Sequence, residues 1–338
     1  MPVCLALKYA AAIGPTGKVR PCCAWDNNSG KESDFNENWK MKHAVWYGQM
    51  AAGDWLPECR ECKQDEENNG KSLRKYYNEI LNYSKGVEYW DFKINNTCNL
   101  QCRMCDPTNS STWDRFLKQH DPNYNSVATG WHRNIDEILP ELYTAKVVKF
   151  TGGEPFLIPQ VKQVIEFLVD EDIAPAVILQ FITNGTVDIT EYYDLLSFFK
   201  HVNITVSVDA IGPRYEYIRS GANWNTTEKN ILNIKKNAPA NVKVGVTALP
   251  MALNINNLHE VESWCTANKI TYNRASDLIE PAYLAPGALA DVELKQQLIS
   301  LNKGKPAWNK GKKGIYSKET LEKMSQARKN RVNANNLP

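Results

Sequence analysis

Three cysteines lie close together in the stretch NNTCNLQCRMCDP, at Cys98, Cys102 and Cys105. Disulfide bonds use cysteines in pairs and a closed structural zinc site takes four ligands, so a set of three suits neither. A cubane iron–sulfur cluster has four irons that each need one outside ligand, and three thiolates leave one iron open to another molecule. The spacing C-x3-C-x2-C therefore favours an open iron–sulfur centre. The alternative is a zinc site that takes its fourth ligand from elsewhere in the chain.

The other cysteines also favour metal chemistry. Eight of the nine cysteines fall within the first 105 residues. The start of the chain carries no export signal that we recognise, so we expect a reducing cytosol, where cysteines serve metals or catalysis more often than disulfides. Cys4, Cys22, Cys59 and Cys62 could close a second metal site with four thiolates, and Cys23 is either a spare or a substitute for Cys22.

Strand-like and helix-like segments alternate from about residue 87 to residue 290. Six segments are predicted strands: VEYWDFKIN, KVVKFT, AVILQFIT, VNITVSVD, VKVGVTAL and KITYNRAS. Between them, apolar residues recur at helical spacing, as in IPQVKQVIEFLVDE, TTEKNILNIKKN and IDEILPELYTA. This alternation predicts an α/β fold with a parallel sheet built from right-handed crossovers, and six units predict a partial (βα)6 TIM-like barrel.

Four segments that could carry chemistry follow directly after predicted strands. The cysteine loop follows the first strand, GGEP (152–155) the second and TNG (183–185) the third, and residues 207–209 end the fourth. In parallel barrels the chemistry gathers at the carboxyl ends of the strands. We therefore expect these four segments to form one site.

The cysteine motif after a first strand, together with GGEP after a second, resembles the radical S-adenosylmethionine superfamily over about residues 87–285. The resemblance implies an oxidoreductase or modifying enzyme with a [4Fe–4S] cluster on Cys98, Cys102 and Cys105, whose open iron chelates S-adenosylmethionine. An electron from the reduced cluster then splits the sulfonium carbon–sulfur bond, and the resulting 5′-deoxyadenosyl radical abstracts hydrogen from a substrate. An electron donor such as flavodoxin or ferredoxin is implied as a partner.

The resemblance also implies cofactor contacts around GGEP. Gly152 and Gly153 have no Cβ and let the backbone approach the methionine part of the cofactor closely. The glycine carbonyls, with Glu154 nearby, suit its ammonium group, and Pro155 holds the turn rigid. Members of the superfamily usually carry an aromatic residue just before the third cysteine, where it packs on adenine. Met104 stands at that position here, and a thioether also packs well on an aromatic ring.

Further cofactor contacts are implied at the ends of the next two strands. Thr183 and Asn184 can reach the ribose hydroxyls, and Asp209 is a polar wall of the site. Ser207 and Arg219 match positions that hold the cofactor carboxylate, a group that pairs well with a planar guanidinium. For Thr183, Asn184 and Ser207 the alternative is ordinary capping and turn chemistry at strand ends.

Residues 1–86 precede this core and are rich in Trp, Asn and Gly. The stretches GKVRPCCAW and CRECKQDEENNGKSLRKYYN resemble the auxiliary-cluster module of the same superfamily, known as twitch or SPASM. This implies a small irregular domain at 1–86, before a catalytic core at 87–290, with a second four-iron cluster on Cys4, Cys22, Cys59 and Cys62. The alternative is a zinc knuckle, because C-x2-C pairs serve both metals.

A basic tail follows the core at 291–338. Residues 301–338 hold ten Lys and Arg against two Glu, a net charge of +8, whereas the whole chain carries only +2. The stretch GKPAWNKGKK, followed by SKETLEKMSQARK, resembles the modular DNA-binding motif attached to homing nucleases and other phage proteins. The resemblance implies DNA contact through lysines and Trp308, in a phage-encoded protein. The alternative is a solvated tail without a specific partner.

Composition is that of an ordinary globular protein, with 43% hydrophobic and 23% charged residues. No apolar run is long enough to span a membrane, so we expect a cytoplasmic protein, in the host cytoplasm if phage-encoded. The leading hypothesis is a radical S-adenosylmethionine enzyme that acts on a peptide or protein, or on a nucleic acid. Auxiliary modules in the superfamily go mostly with peptide or protein maturation, which favours the peptide. The alternative is a non-catalytic zinc or iron–sulfur protein that binds nucleic acid.

Overall fold

The computed structural model of the chain describes residues 2–25, 31–35, 38–82, 85–126 and 135–290. The basic tail predicted at 291–338 lies outside the described residues. The strands are β1 (Ala10–Ile13), β2 (Lys18–Arg20), β3 (Ser33–Asp34), β4 (Tyr89–Phe92), β5 (Gln101–Cys102), β6 (Val147–Phe150), β7 (Ile178–Thr183), β8 (His201–Ser207), β9 (Arg219–Ser220), β10 (Val242–Ala248) and β11 (Thr271–Arg274). The α-helices are α1 (Ala6–Tyr9), α2 (Trp39–Ala52), α3 (Arg60–Asn69), α4 (Leu73–Ile80), α5 (Ser111–His120), α6 (Pro159–Asp170), α7 (Tyr193–Leu196), α8 (Gly212–Ile218), α9 (Trp224–Asn237) and α10 (Leu258–Ala267).

Within the described residues, one large sheet has nine strands in the order β11-β10-β8-β7-β6-β4-β1-β2-β3. Neighbouring strands from β11 to β1 pair in parallel, whereas β2 and β3 pair antiparallel. The six predicted strands are β4, β6, β7, β8, β10 and β11, and helices connect them along the chain. The α/β prediction and its partial TIM-like barrel are confirmed.

The helices form where local signals and the core agree. In α6 the apolar residues at 161, 164, 165 and 168 recur at helical spacing and are buried, and Pro159 begins the helix where its missing N–H costs nothing. Asn223 caps the start of α9, because its side chain accepts a hydrogen bond from the backbone N–H of Thr226 at 3.0 Å. The predicted helix IDEILPELYTA instead forms two 3₁₀ helices, Ile135–Glu137 and Leu139–Thr144. Pro140 lies inside it and disfavours a continuous α-helix.

The two faces of the sheet are covered differently. Side chains alternate along a strand, so Trp90 and Phe92 of β4 point to one face and Tyr89 and Asp91 to the other. Trp90 and Phe92 are fully buried in the main core with α6, α9 and α10. We call the face that carries Tyr89 and Asp91 the inner face.

The inner face changes character along the strands. Tyr89, Val147 and Ile178, the first residues of β4, β6 and β7, pack in a second apolar cluster with helices of the amino-terminal region. Two residues further on, the strands carry charged and amide side chains in register, which we call the polar layer: Asp91, Lys149, Gln180 and Asn203. The amino-terminal region therefore covers the amino end of the inner face, and a polar surface lies between it and the carboxyl end.

Residues 1–86 are more regular than their composition indicated. Strand β1 pairs in parallel with β4, and β2 and β3 extend the same sheet. Ala11 and Ile13 of β1 belong to the main core together with Trp90. The amino-terminal region is thus built onto the edge of the barrel sheet as a further parallel strand.

Candidate active site

The cysteine loop runs from the end of β4 into α5. Strand β5 within it pairs antiparallel with β9, which places Cys102 opposite Arg219. The backbone N–H of Cys105 donates to the carbonyl of Cys102 at 3.0 Å, so the loop closes on itself. Trp113 of α5 donates from Nε1 to the same carbonyl at 2.9 Å. The start of α5 therefore holds the loop, and Cys102 is buried while Cys98 and Cys105 are half-buried.

GGEP lies directly against this loop. Gly153 has a φ of +50°, and a Cβ placed on it would lie 2.3 Å from the carbonyl oxygen of Thr97. The backbone N–H of Glu154 donates to that same oxygen at 2.7 Å. Only a residue without a Cβ fits so close to another backbone. In this structure Gly153 is therefore required for contact with the cysteine loop, in addition to the cofactor approach that the sequence predicted.

Glu154 is buried and ties two strand ends together. Its carboxylate accepts from the Thr183 hydroxyl at 2.7 Å and from the backbone N–H of Asn184 at 2.7 Å. Burial raises the pKa of the Glu154 carboxyl although these hydrogen bonds oppose the shift. The Asn184 side chain then donates to Cys98 Sγ at 3.8 Å and to Asn99 Oδ1 at 2.9 Å. Glu154, Thr183 and Asn184 thus form one network that ends on the first cysteine.

Arg219 and Asp209 form a buried ion pair on the other side of the loop. Arg219 Nη2 lies 2.8 Å from Asp209 Oδ2, and Arg219 Nη1 donates to Cys102 Sγ at 3.9 Å. Asp209 also accepts from the backbone N–H of Leu249 at 2.8 Å. Arg219 Nε is buried and has no hydrogen-bond partner among the described residues. Arg219 therefore directs one N–H donor, at Nη1, to a cysteine sulfur, and its Nε donor can still bind a ligand.

The remaining predicted contacts lie around this centre. Ser207 is the last residue of β8 and is half-buried, Pro155 is buried at the start of a short 3₁₀ helix, and Met104 packs against the main core. The structure thus gathers the cysteine loop and the ends of β6, β7 and β8 at one edge of the sheet. The cofactor contacts assigned to individual residues stay predictions.

The donor set fits the cluster and cofactor that the sequence predicts. Burial raises the pKa of the three thiols, to about 11 for Cys102 and about 12 for Cys105, and a bound metal would displace those protons. Asn184 and Arg219 supply N–H donors to two of the sulfurs, a contact that tunes the potential of iron–sulfur clusters. The unsatisfied Nε of Arg219 suits the cofactor carboxylate that the sequence assigned to this residue.

The four amino-terminal cysteines line one cavity at the opposite end of the sheet. Cys4, Cys22, Cys59 and Cys62 surround it together with Tyr77. Burial raises the pKa of all four thiols, to about 11 for Cys4 and about 12 for Cys59.

Arg74 also lines this cavity. It is held by Glu66 at 2.6 Å and donates to the carbonyl of Val3 at 2.7 Å. Among the described residues, no three His, Cys, Asp or Glu side chains are arranged to hold a single metal ion.

Cys23 differs from its neighbour Cys22, which is half-buried and lines the cavity. It is exposed, yet burial among protein atoms raises its pKa, and Lys149 and Asp91 have the largest effects on that pKa among the charged groups. Cys23 therefore borders the polar layer and does not line the cavity of the other four.

Sequence reasoning missed the charged groups of the inner face. Lys149 and Asp91 form an ion pair at 2.9 Å, and Lys93 follows the end of β4 on the same face as Asp91. A signal was present, because charged residues alternate with apolar ones in YWDFK and VKF. Such alternation indicates a strand with one charged and one apolar face.

Comparison with known proteins places the chain in a family. A family model described as the radical SAM superfamily matches residues 92–265, just over half of the chain. Two relatives are described as probable GTP 3′,8-cyclases. The one from Methanocaldococcus jannaschii is 27% identical over 184 residues, which is 54% of this chain and 56% of that protein. The one from Methanococcus maripaludis is 24% identical over 189 residues, with the same coverage.

The chain spans about half the length of the curated relatives it matches. Among solved structures, anSMEcpe with bound AdoMet gives a TM-score of 0.42 at 17% identity and covers 54% of this chain and 50% of that one. Streptococcus suis SuiB bound to S-adenosylmethionine gives a TM-score of 0.41 at 13% identity and covers 78% and 60%. In the described part of the chain no helix is both long and apolar enough to span a bilayer.

The family match contains the cysteine loop, GGEP, the Asp209–Arg219 pair and all strands from β5 to β10. This chain therefore belongs to the radical S-adenosylmethionine superfamily.

Proposed function

We propose that this protein is an enzyme that reductively cleaves S-adenosylmethionine to a 5′-deoxyadenosyl radical, which abstracts hydrogen from a substrate. The observation that carries this proposal is the convergence of Cys98, Cys102 and Cys105 with GGEP, Asn184 and Arg219 at one edge of the sheet. When bound, a [4Fe–4S] cluster would supply the electron for the cleavage.

The chain's own residues have defined tasks in this proposal. The three thiolates hold the cluster, and the N–H groups of Asn184 and Arg219 stabilise negative charge on the sulfurs. Arg219 Nε and Ser207 bind the cofactor carboxylate, and Thr183 and Asn184 contact its ribose. Glu154 fixes the ends of β6 and β7 relative to the cysteine loop, so the site is preorganised by buried hydrogen bonds.

We place the substrate on the inner face between the two cysteine sites. Tyr89 lies at the end of the sheet near the amino-terminal cysteines, and Lys93 follows the opposite end of β4. Four residues of a strand span roughly 13 Å, enough for a side chain or a nucleoside between the two sites. A polar layer along this gap can hydrogen-bond a polar substrate.

The auxiliary site is the second part of the proposal. Four thiols around one cavity, of which Cys4 and Cys62 are buried and Cys22 and Cys59 half-buried, support a fully ligated second [4Fe–4S] cluster. Such a cluster would carry electrons or brace the substrate side of the barrel. Because auxiliary modules in the superfamily go mostly with peptide or protein maturation, we favour a peptide or protein substrate.

A nucleotide is the second candidate substrate. The curated relatives matched by this chain are described as probable GTP 3′,8-cyclases, and the inner face carries the basic groups Lys93 and Lys149. Phosphate groups pair readily with such cations.

The test of the proposal is cofactor cleavage by the full chain. Anaerobically reconstituted protein is reduced with dithionite and incubated with S-adenosylmethionine, and 5′-deoxyadenosine is measured by mass spectrometry. Cys102→Ala should lose about four irons per chain and most of the cleavage. The matched control is Cys265→Ala, a buried cysteine on α10 outside the site, which should retain both.

Two further results decide between the alternatives. Colourless protein that contains only zinc and forms no 5′-deoxyadenosine would support the non-catalytic metal protein and overturn the proposal. Deuterium transferred into 5′-deoxyadenosine from labelled protein or from labelled nucleotide fractions of cell extract would identify the substrate class.

A further inference from the structure

Lys93 is held in an unusual position between the cysteine loop and GGEP. A Cβ placed on Gly152 would lie 2.1 Å from Lys93 Cγ, 2.7 Å from Cδ and 2.8 Å from Cε. The whole aliphatic stem of the lysine therefore passes over the backbone of Gly152, and the first glycine of GGEP makes room for it. Lys93 is half-buried, and the charges of Asp106 and Cys105 in the cysteine loop act on its amine.

The Lys93 amine has no direct partner within the described residues. Nearby carboxylates are engaged by other donors: Asp106 accepts from Thr108 and Asn109, and Asp91 accepts from Lys149 at 2.9 Å. Burial lowers the pKa of Lys93, and Asp106 opposes that shift only in part. A half-buried cation without a counterion is costly and calls for an anion.

Lys93 and the predicted cofactor contacts follow different strands of the sheet. Along the sheet, the cofactor contacts predicted at Asn184 and Ser207 follow β7 and β8, whereas Lys93 follows β4 on the side of β1 and β2. On that side lies Arg20 of β2, which pairs with Glu32 and whose charge helps to lower the pKa of Lys93. An anion at Lys93 would thus lie toward the amino-terminal region, where we place the substrate, and away from the group proposed for the cofactor carboxylate.

We propose that the Lys93 ammonium binds an oxyanion of the substrate, a phosphate or a carboxylate, and so selects substrates that present an anion beside the cysteine loop. This inference rests on the proposed function, because it assumes that the substrate occupies the inner face. Lys93 acts by charge and position, and Gly152 acts by leaving space for the lysine stem.

The experiment uses reconstituted full-length protein and two simple anions, inorganic pyrophosphate and glutarate. Lys93→Met keeps a stem of similar shape over Gly152 and removes the charge. The matched control is Lys162→Met on the exposed side of α6. Calorimetry measures the affinity of each protein for each anion and for S-adenosylmethionine. Binding of pyrophosphate to the basic residues 301–338 is common to all three proteins and cancels in the comparison.

We expect one of the two anions to bind Lys93→Met at least about tenfold more weakly than wild type, the loss expected for a charge-assisted hydrogen bond. Lys162→Met should bind like wild type. A loss confined to pyrophosphate would support a phosphate-bearing substrate, and a loss confined to glutarate a carboxylate-bearing one. In wild type, the same anion should protect Lys93 from amine-reactive labelling, as read by peptide mass spectrometry. This second measurement needs no variant.

Three outcomes would overturn the inference: equal anion binding in Lys93→Met, no protection of Lys93 by either anion, or an equally large loss of S-adenosylmethionine affinity. The last would assign Lys93 to the cofactor. Cleavage of S-adenosylmethionine by the same wild-type preparation is measured separately. If the protein cleaves S-adenosylmethionine but Lys93→Met binds the anions as tightly as wild type, only this inference fails. Absence of cleavage counts against the proposed function itself.

Discussion

Asn184 shows how much of the candidate site rests on single side chains. Its backbone N–H donates to Glu154, its side-chain amide donates to Cys98 and Asn99, and its side-chain oxygen accepts from Thr186 at 2.7 Å. The first three contacts join the end of β7 to GGEP and to the cysteine loop, and the contact with Thr186 stays within the loop that follows β7. A small polar residue here sets the position of the first cysteine relative to β6 and β7.

Gly153 should be the least tolerant position of GGEP. Gly153→Ala places a Cβ 2.3 Å from the Thr97 carbonyl, a backbone atom that cannot move aside alone. Gly212→Ala is the matched control, because Gly212 has a similar φ of +59° and open space around it. We expect Gly153→Ala to lower the free energy of unfolding by about 1–3 kcal/mol more than the control, since it adds overpacking to the same backbone strain. Urea unfolding of the protein without metal measures this, and equal losses in the two variants would show that the clash is absent.

Among the elements, α2 has a buried histidine between two indole rings. His43 packs 5.0 Å from Trp39 and 5.1 Å from Trp46, measured between ring centroids, and its Nε2 has no hydrogen-bond partner in the part of the chain that is described. Burial lowers the pKa of His43 to about 3, from an ordinary value of 6.5. The His43 imidazole is therefore neutral where it packs between Trp39 and Trp46.

This histidine should make the fold sensitive to acid. As the pH falls below 6.5, the unfolded chain takes up a proton at His43 and the folded chain does not, so folded stability is lost between pH 6.5 and pH 3. From pH 7 to pH 5 the loss from this one residue is about 2 kcal/mol. Wild type should lose that much more stability than His43→Phe, which keeps an aromatic ring, when urea unfolding is compared at the two pH values. Parallel losses in the two proteins would contradict the prediction.

Strand β1 and helix α2 join the amino-terminal region to the barrel. Ile13 pairs with Phe92 in the parallel ladder. Phe35 stacks on Trp39 at 5.8 Å between ring centroids. These four side chains belong to the same core as Trp90, which is fully buried. Each such side chain contributes about 1.5–3 kcal/mol when buried. The boundary at residue 86 that the sequence predicted therefore divides regions that share one core.

A fragment of residues 87–290 should consequently fold poorly by itself. Removing β1 exposes the edge of β4 and the ring of Trp90, and exposed strand edges with apolar surface aggregate. We expect the fragment to lose near-ultraviolet circular dichroism and to elute from gel filtration as aggregate. Residues 1–290, which lack only the basic tail, are the control and should behave as a monodisperse folded protein. A soluble, cooperatively unfolding 87–290 fragment would show that the core is independent.

At the scale of the whole molecule, charge is unevenly distributed along the chain. Residues 301–338 carry a net +8 on a chain with +2 overall. Deleting them should weaken binding to duplex DNA and reduce the dependence of that binding on salt, because fewer phosphate counterions are released. Fluorescence anisotropy with a short DNA duplex at two salt concentrations measures both effects. If the shortened protein keeps the same affinity and salt dependence, the tail has no part in DNA binding.

The sequence by itself determined the α/β fold, the six core strands and the superfamily. Those features depend on spacing and alternation along the chain: three cysteines within eight residues, GGEP after a strand, and apolar residues at strand or helix period. Such local patterns identify each strand and the loop that follows it. Because parallel strands end at the same edge of a sheet, the carboxyl ends of β4, β6, β7 and β8 could be assigned to one edge.

Only the tertiary structure decided what meets across the sheet. It paired β1 with β4, placed the four amino-terminal cysteines at the amino end of the strands, and laid Lys93 over Gly152. It also brought Cys23 within the electrostatic influence of Asp91 and Lys149, whereas Cys22 lines the cavity. Residues such as Cys4, Cys22 and Cys59 are far apart in the chain, and their meeting depends on strand register and on apolar packing between distant segments. No local sequence pattern predicts those contacts, because the energy that stabilises them comes from residues distant in the chain and not from residues adjacent in sequence.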